Sequence, residues 1–209
     1  MTYPSYRVLA ISGSLRARST NTEALRAAAF VAPTSLRVEM YHGLASLPHF
    51  NPDLDVEGAV APNSVERLRA QVGVADALLI SSPEYAHGVP GALKNALDWL
   101  VSSPVMVGKR VGLLNISPRS TYVSASLAET LRTMSAVIVP GAWIELPITG
   151  TGLDAVGIAA HPEFATKLRS ALETLVERTR AQRAPGGGLG GGVGGGGGGG
   201  GLHSISGAS

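Results

Sequence analysis

The strongest constraint on this chain is an alternation. Short apolar runs of strand length take turns with segments of helical period, from Tyr6 to about Arg180. Tyr6–Ile11 (YRVLAI), Asp76–Ser81 (DALLIS) and Arg110–Ile116 (RVGLLNI) read as buried strands, and Leu36–Tyr41 (LRVEMY) alternates as a strand does. A fifth strand is predicted at Ala136–Val139, with Trp143–Leu146 extending the edge. Between them, apolar residues recur at helical spacing over 20–31, 63–72, 90–101, 124–134 and 162–180. Thr20 and Glu23 have capping-box spacing, and Pro90 suits a first helical position. Five strands alternating with five helices predict an α/β fold, a doubly wound parallel sheet with helices on both faces. Nearly continuous apolar strands fit burial on both sides.

Composition sets the domain limits. Glycine occurs 27 times, but fifteen of these fall between Gly186 and Gly207. Residues 1–184 therefore read as one domain and 185–209 as a disordered glycine-rich tail, which lacks the apolar residues to offset ordering its backbone. Apolar residues at 44 % suffice for a sizeable core. Without cysteine there is no disulfide, thiolate metal site or cysteine nucleophile. The five histidines form no metal-ligating pair, so no metal site is expected. The N-terminus has no secretory h-region and no apolar run approaches a membrane span of about 20 residues. The expectation is a cytoplasmic protein that does not bind membranes. At a net charge of +2, with basic residues scattered singly, no nucleic-acid surface is expected either.

In an open α/β sheet, ligands lie beyond the carboxyl ends of the strands, which points to three loops. The first, after strand one, reads SGSLRARSTN from Ser12 to Asn21 and brings hydroxyls and two guanidiniums to a helix N-terminus, a seat for phosphate. Taken alone, such a cluster is more often a capped helix with a polar loop. Neither a dinucleotide fingerprint nor a P-loop is present. The second loop, Ser82–Gly91, has two prolines, two glycines and Tyr85. The third carries Asn115, Ser117 and Arg119.

Together these strings resemble the NADPH-dependent FMN reductase family, flavodoxin-like proteins that include chromate and quinone reductases. The resemblance rests on GSLRARSTN, on SPEY, and on GVPGALKNALDWL, and spans roughly residues 5–180. It implies a strand order of 2-1-3-4-5. It also implies FMN as cofactor, its phosphate held by Ser14, Arg16, Ser19, Thr20 and Asn21. The flavin ring edge would meet Pro83, Glu84, Tyr85 and Ala86, with Ser117 from the third loop. Ala86 departs from the family's usual PEYN, so a contact from that asparagine side chain is lost. NADPH or NADH would reduce the flavin, which would pass electrons to free flavin, a quinone, an azo dye or a metal ion. No catalytic acid, base or nucleophile is nominated, because the cofactor performs the electron chemistry. For Glu84 a structural or orienting role is favoured over proton transfer. A homodimer or homotetramer is expected. The alternative is a flavodoxin-type electron carrier without a nicotinamide site, disfavoured by the absence of an acidic docking face. A third reading, an association module that has lost its cofactor, draws slight support from Ala86.

Overall fold

The structure, a computed structural model, describes residues 6–56 and 58–183. The glycine-rich segment expected to be disordered lies outside the described residues. Strands β1 (Tyr6–Ser12), β2 (Leu36–Met40), β3 (Ala77–Ser81), β4 (Arg110–Asn115) and β5 (Val137–Glu145) form one parallel sheet in the order β2-β1-β3-β4-β5. This is the five-stranded, doubly wound, flavodoxin-like α/β fold. Its helices are α1 (Thr20–Val31), α2 (Asn63–Val74), α3 (Gly91–Val101), α4 (Tyr122–Thr133), α5 (Ala155–Ala160) and α6 (Pro162–Arg183).

Side-chain alternation along the strands divides the core into two layers. Leu9 and Ile11 of β1, Leu78 and Ile80 of β3, and Val111 and Leu113 of β4 pack with α2, α3 and α4. The intervening residues Val8, Ala10, Ala77, Leu79 and Leu114 pack with α1, α5 and α6. Fully buried leucines such as Leu68, Leu78 and Leu97 each contribute roughly 1.5–3 kcal/mol of burial. Gly112 is one point where α6 packs closely on the sheet. A Cβ there would lie 3.0 Å from the Ala142 carbonyl oxygen and 3.1 Å from Leu175.

Four local expectations need correction. A helix absent from the sequence reading, α5, follows β5, so among the described residues six α-helices stand where five helices were expected. It is only six residues long, and its start is capped by Asp154, whose Oδ1 accepts from the Gly157 N–H at 2.8 Å. The α1 cap is Ser19 rather than Thr20, its Oγ accepting from Thr22 N–H. Glu23, assigned to a local capping box, instead accepts from the Ala155 N–H at 3.0 Å and so closes α5 from a distance. Pro90 is the cap of α3, not its first residue. Finally, β5 is one nine-residue strand. Its register with β4 slips between Val111 and Leu113, opposite the stretch where Pro140 cannot donate to the ladder.

Between β2 and α2 the chain makes two short 3-10 turns, at Leu44–Ser46 and Pro52–Leu54. α3 holds this segment in place. Trp99, fully buried, donates from Nε1 to the Pro48 carbonyl at 2.9 Å, and the Phe50 ring meets its indole edge-on at 5.1 Å. Asn95 adds two bonds, to Pro48 O and from Phe50 N–H. Arg69 of α2 ties Asp55 to the Trp99 carbonyl. Trp99 is thus a core anchor.

Candidate functional site

Strand order reverses between β1 and β3: the chain runs from β1 outward to β2, then crosses back to β3 on the other side. Ser12 pairs with Ser81 and Ser81 with Leu114, so the loops after β1, β3 and β4 leave the sheet at one level. There they enclose a cavity of about 230 Å³. Ser14, Arg16, Ser19, Thr20 and Asn21 line it from the first loop, Pro83, Glu84 and Tyr85 from the second, and Ser117 from the third. Nine of the ten residues singled out in the sequence meet there, and Ala86 does not line it.

The first loop keeps its donors available. Ser12 Oγ accepts from Ser14 N–H and Thr22 Oγ1, and Ser14 Oγ accepts from Arg16 N–H, which fixes the turn. Beyond that, the N–H groups of residues 17–21 donate to no acceptor among the described residues. The Arg16 and Arg18 side chains are exposed and likewise form no hydrogen bond or ion pair there. Unpaired N–H groups at a helix start, two free guanidiniums and several hydroxyls suit a doubly charged phosphate monoester. Asn21 has a second task. Its Oδ1 accepts from the Ser81 hydroxyl at 2.8 Å, which pins the first turn of α1 to β3.

The second loop engages the Glu84 and His87 side chains within the protein. Glu84 Oε2 accepts from the N–H of Tyr122 (2.9 Å) and of Val123 (3.0 Å), filling the open N-terminus of α4 across the crevice. Its Oε1 lies 3.1 Å from His87 Nδ1, and the His87 ring stands edge-on to Tyr122 at 4.5 Å. The Val123 N–H above all, with His87 and the Tyr122 N–H, holds the Glu84 carboxyl below its ordinary range against a smaller desolvation effect. Glu84 is therefore a carboxylate tied to a helix end, in keeping with the orienting role favoured for it. Tyr85 and Gly88 exchange both backbone bonds (3.2 and 3.0 Å), closing a two-residue turn with Ala86 at φ 49° and His87 at φ 59°. Both central residues are left-handed, as in a type I′ turn, where asparagine and glycine are preferred. An asparagine at position 86 would thus serve the backbone as well as any ligand.

Gly13 is where the first two loops touch. A Cβ there would lie 2.8 Å from Ser82 Oγ and 3.1 Å from Leu93.

Three lining residues went unnoticed in the sequence, Ile116, Ser120 and Thr149, while Arg18, the second guanidinium of the first loop, lines the cavity without having been assigned to the phosphate by the resemblance. Thr149 comes from a fourth loop, after β5. Its Oγ1 donates to the Ile116 carbonyl at 2.9 Å, tying that loop to the one after β4. The same strand-end rule, applied to β5 as well, finds it. A neighbouring cavity of about 460 Å³ shares Arg18, Ser19 and Thr20 and continues between α1 and Gly152–Asp154. Among the described residues, no group of three or more histidine or acidic side chains could hold a metal ion, and no helix is long and apolar enough to cross a membrane.

Known proteins resemble this chain in sequence and in fold. An NAD(P)H-dependent FMN reductase of Pseudomonas aeruginosa is 40 % identical over 113 residues, which cover 53 % of this chain and 60 % of that protein. A quinone reductase of Escherichia coli K12 is 39 % identical over 98 residues, covering 47 % of this chain and 52 % of its own. The matching stretch thus spans about half to three fifths of the length of these curated relatives. Among solved structures, the flavoenzyme FerB from Paracoccus denitrificans, an NAD(P)H:(acceptor) oxidoreductase, superimposes with a TM-score of 0.69 at 27 % identity, covering 84 % of this chain and 97 % of FerB. Residues 6–148, which hold the first three of these loops, match the family described as NADPH-dependent FMN reductase, and the chain belongs to that FMN-binding family.

Proposed function

We propose that this protein is an FMN-dependent oxidoreductase that takes electrons from NADPH or NADH and passes them to a small-molecule acceptor. Free flavin, quinones, azo compounds and metal ions are the acceptor classes. The observation that carries the reading is the convergence of three loops, distant in sequence, on one cavity at the strand-order reversal. When bound there, FMN supplies the electron chemistry. The chain's own residues bind and orient. Arg16, Arg18 and the N–H groups at the start of α1 would hold the phosphate, with Ser14, Ser19 and Thr20 adding hydroxyls. Pro83, Glu84 and Tyr85 would face the ring edge, where the N–H groups of Glu84 and Ala86 meet no protein acceptor among the described residues. Ser117 and Ser120 add hydroxyls to the lining from the loop after β4. No side chain is assigned a proton-transfer role, since Glu84 is engaged by α4.

A homodimer or homotetramer belongs to the same reading. Leu54, Val56 and Val60, exposed on the segment between β2 and α2, support it, and light scattering on the eluting protein measures it.

The test is spectroscopic. The purified protein, supplied with FMN, is expected to be yellow and to bleach when NADPH or NADH is added without oxygen. A protein that takes up no FMN overturns the reading. One that stays yellow with both nucleotides is a carrier instead.

A further inference from the structure

On the far side of β1 from that crevice, the turn after β2 and helix α2 enclose a separate pocket of about 270 Å³. Its polar lining comes from Tyr41, His42 and Ser46 on the turn and from Ser64, Arg67 and Gln71 on the helix. The helical three are spaced i, i+3, i+7 and so form one stripe, while Val65, Leu68 and Val72 bury another. None of the six side chains makes a hydrogen bond or ion pair with another described residue.

Tyr41 is the telling member. The residue is only 7 % exposed, yet its hydroxyl has no partner among the described residues. No fully sealed side-chain nitrogen or oxygen among the described residues lacks a partner, so this oxygen is one the pocket reaches. A hydroxyl on a buried ring that opens only into the pocket is free to bond whatever enters there, and a ligand oxygen can take the place water otherwise holds. Gly43 keeps it there. A Cβ at that position would fall 2.5 Å from Tyr41 Oη and 2.8 Å from Cζ, so a side chain there would displace the ring.

The lining also states the sign of the ligand. It contains a guanidinium and no carboxylate, which fits an anion and not a metal ion. Burial raises the Tyr41 phenol above its ordinary value, with Arg67 opposing, so the hydroxyl remains a donor at neutral pH. Donors approach from both walls, which matches a tetrahedral group better than a planar two-oxygen carboxylate. The volume exceeds that of a bare phosphate, and Met40 adds an apolar surface.

We propose that this pocket binds the phosphate group of a small phosphorylated molecule, with Arg67 and the Tyr41 hydroxyl as principal donors. The site is independent of the flavin crevice. Its test is a nitrogen–proton NMR titration of the full chain with saturating FMN present, using inorganic phosphate, ribose 5-phosphate and acetate. Shifts are expected at Gly43, Ser64 and Arg67, with ribose 5-phosphate binding more tightly than phosphate and acetate hardly at all. Arg67→Gln, at an exposed helix position, should weaken binding about tenfold or more, and Tyr41→Phe, which keeps the ring, about three- to tenfold. Unchanged spectra elsewhere show that both variants fold. Shifts confined to Ser14–Asn21, acetate equal to phosphate, or full affinity in both variants would overturn the proposal. If no FMN is taken up, shifts at Gly43 and Arg67 still report on this pocket alone.

Discussion

The loops after β1 and β3 border the same cavity and use their polar groups in opposite ways. In the first, the guanidiniums of Arg16 and Arg18 and the N–H groups of residues 17–21 are left without partners among the described residues. In the second, Glu84 fills the end of α4, His87 holds Glu84, and Tyr85 and Gly88 bond each other. Free polarity is what a charged ligand needs, because its own oxygens replace the water those donors otherwise hold. Polarity consumed within the protein gives a loop a fixed shape, and a flat ring needs shape more than charge. The contrast separates a loop that binds from a loop that shapes.

If that division holds, the largest effect belongs to the free donors. Arg16→Ala is expected to weaken FMN binding by about tenfold to a hundredfold, the worth of a hydrogen bond to a charged group, without altering the melting curve of the apoprotein. Arg16→Ala with Arg18→Ala should lose more. Fluorescence titration of FMN reads both, and an unchanged dissociation constant in the double variant removes the phosphate assignment. Next comes the point where the loops meet. Gly13→Ala forces Ser82 or Leu93 to move, an overpacking cost of about 1–3 kcal/mol, and should lower stability and flavin affinity together. Affinity lost at full stability would show that the two loops are not mechanically joined.

The shaping loop predicts an acid response. The Glu84 carboxyl is held below its ordinary value by the α4 N–H groups and His87, so its contribution to stability is complete above the ordinary glutamate range. That contribution declines as pH falls through the lowered value. Glu84→Gln should therefore melt below the parent at pH 7, and the gap should close in acid. A gap independent of pH would mean that the contact is not electrostatic. Flavin affinity should fall less in this variant than in Arg16→Ala, since Glu84 acts through the position of α4.

What was legible in the sequence follows the range of the interaction. Strands buried on both faces announce themselves as apolar runs, and three of the four loops lining the candidate cavity could be located by the strand-end rule. Helix α5 could not. Six residues carry too little periodicity, and what closes its start includes Glu23, 132 residues away. Nor could the capping shift be seen, because Ser19 and Thr20 are chemically interchangeable as caps and only the backbone selects one. The six polar residues of the second pocket are unremarkable in the chain, since 41–46 and 64–71 read separately as a strand end and a helix face. Tertiary placement makes them a group.

The smallest effect tests the shaping loop on its own terms. Ala86 and His87 both occupy the left-handed region, which costs an ordinary side chain about 1–2 kcal/mol per residue, and Ala86 has no polar group to offset it. Asparagine tolerates this conformation better, and glycine adopts it without strain. Ala86→Asn is thus expected to stabilise the protein by roughly 0.5–1 kcal/mol, seen as a small rise in melting temperature. Ala86→Gly, which relieves strain but loosens the unfolded chain, should gain less. The pair also separates backbone from side chain at the flavin edge. If Asn tightens FMN binding and Gly does not, the amide touches the ligand. If both leave affinity unchanged while Asn raises stability, position 86 shapes the turn alone, as its place outside the cavity lining suggests.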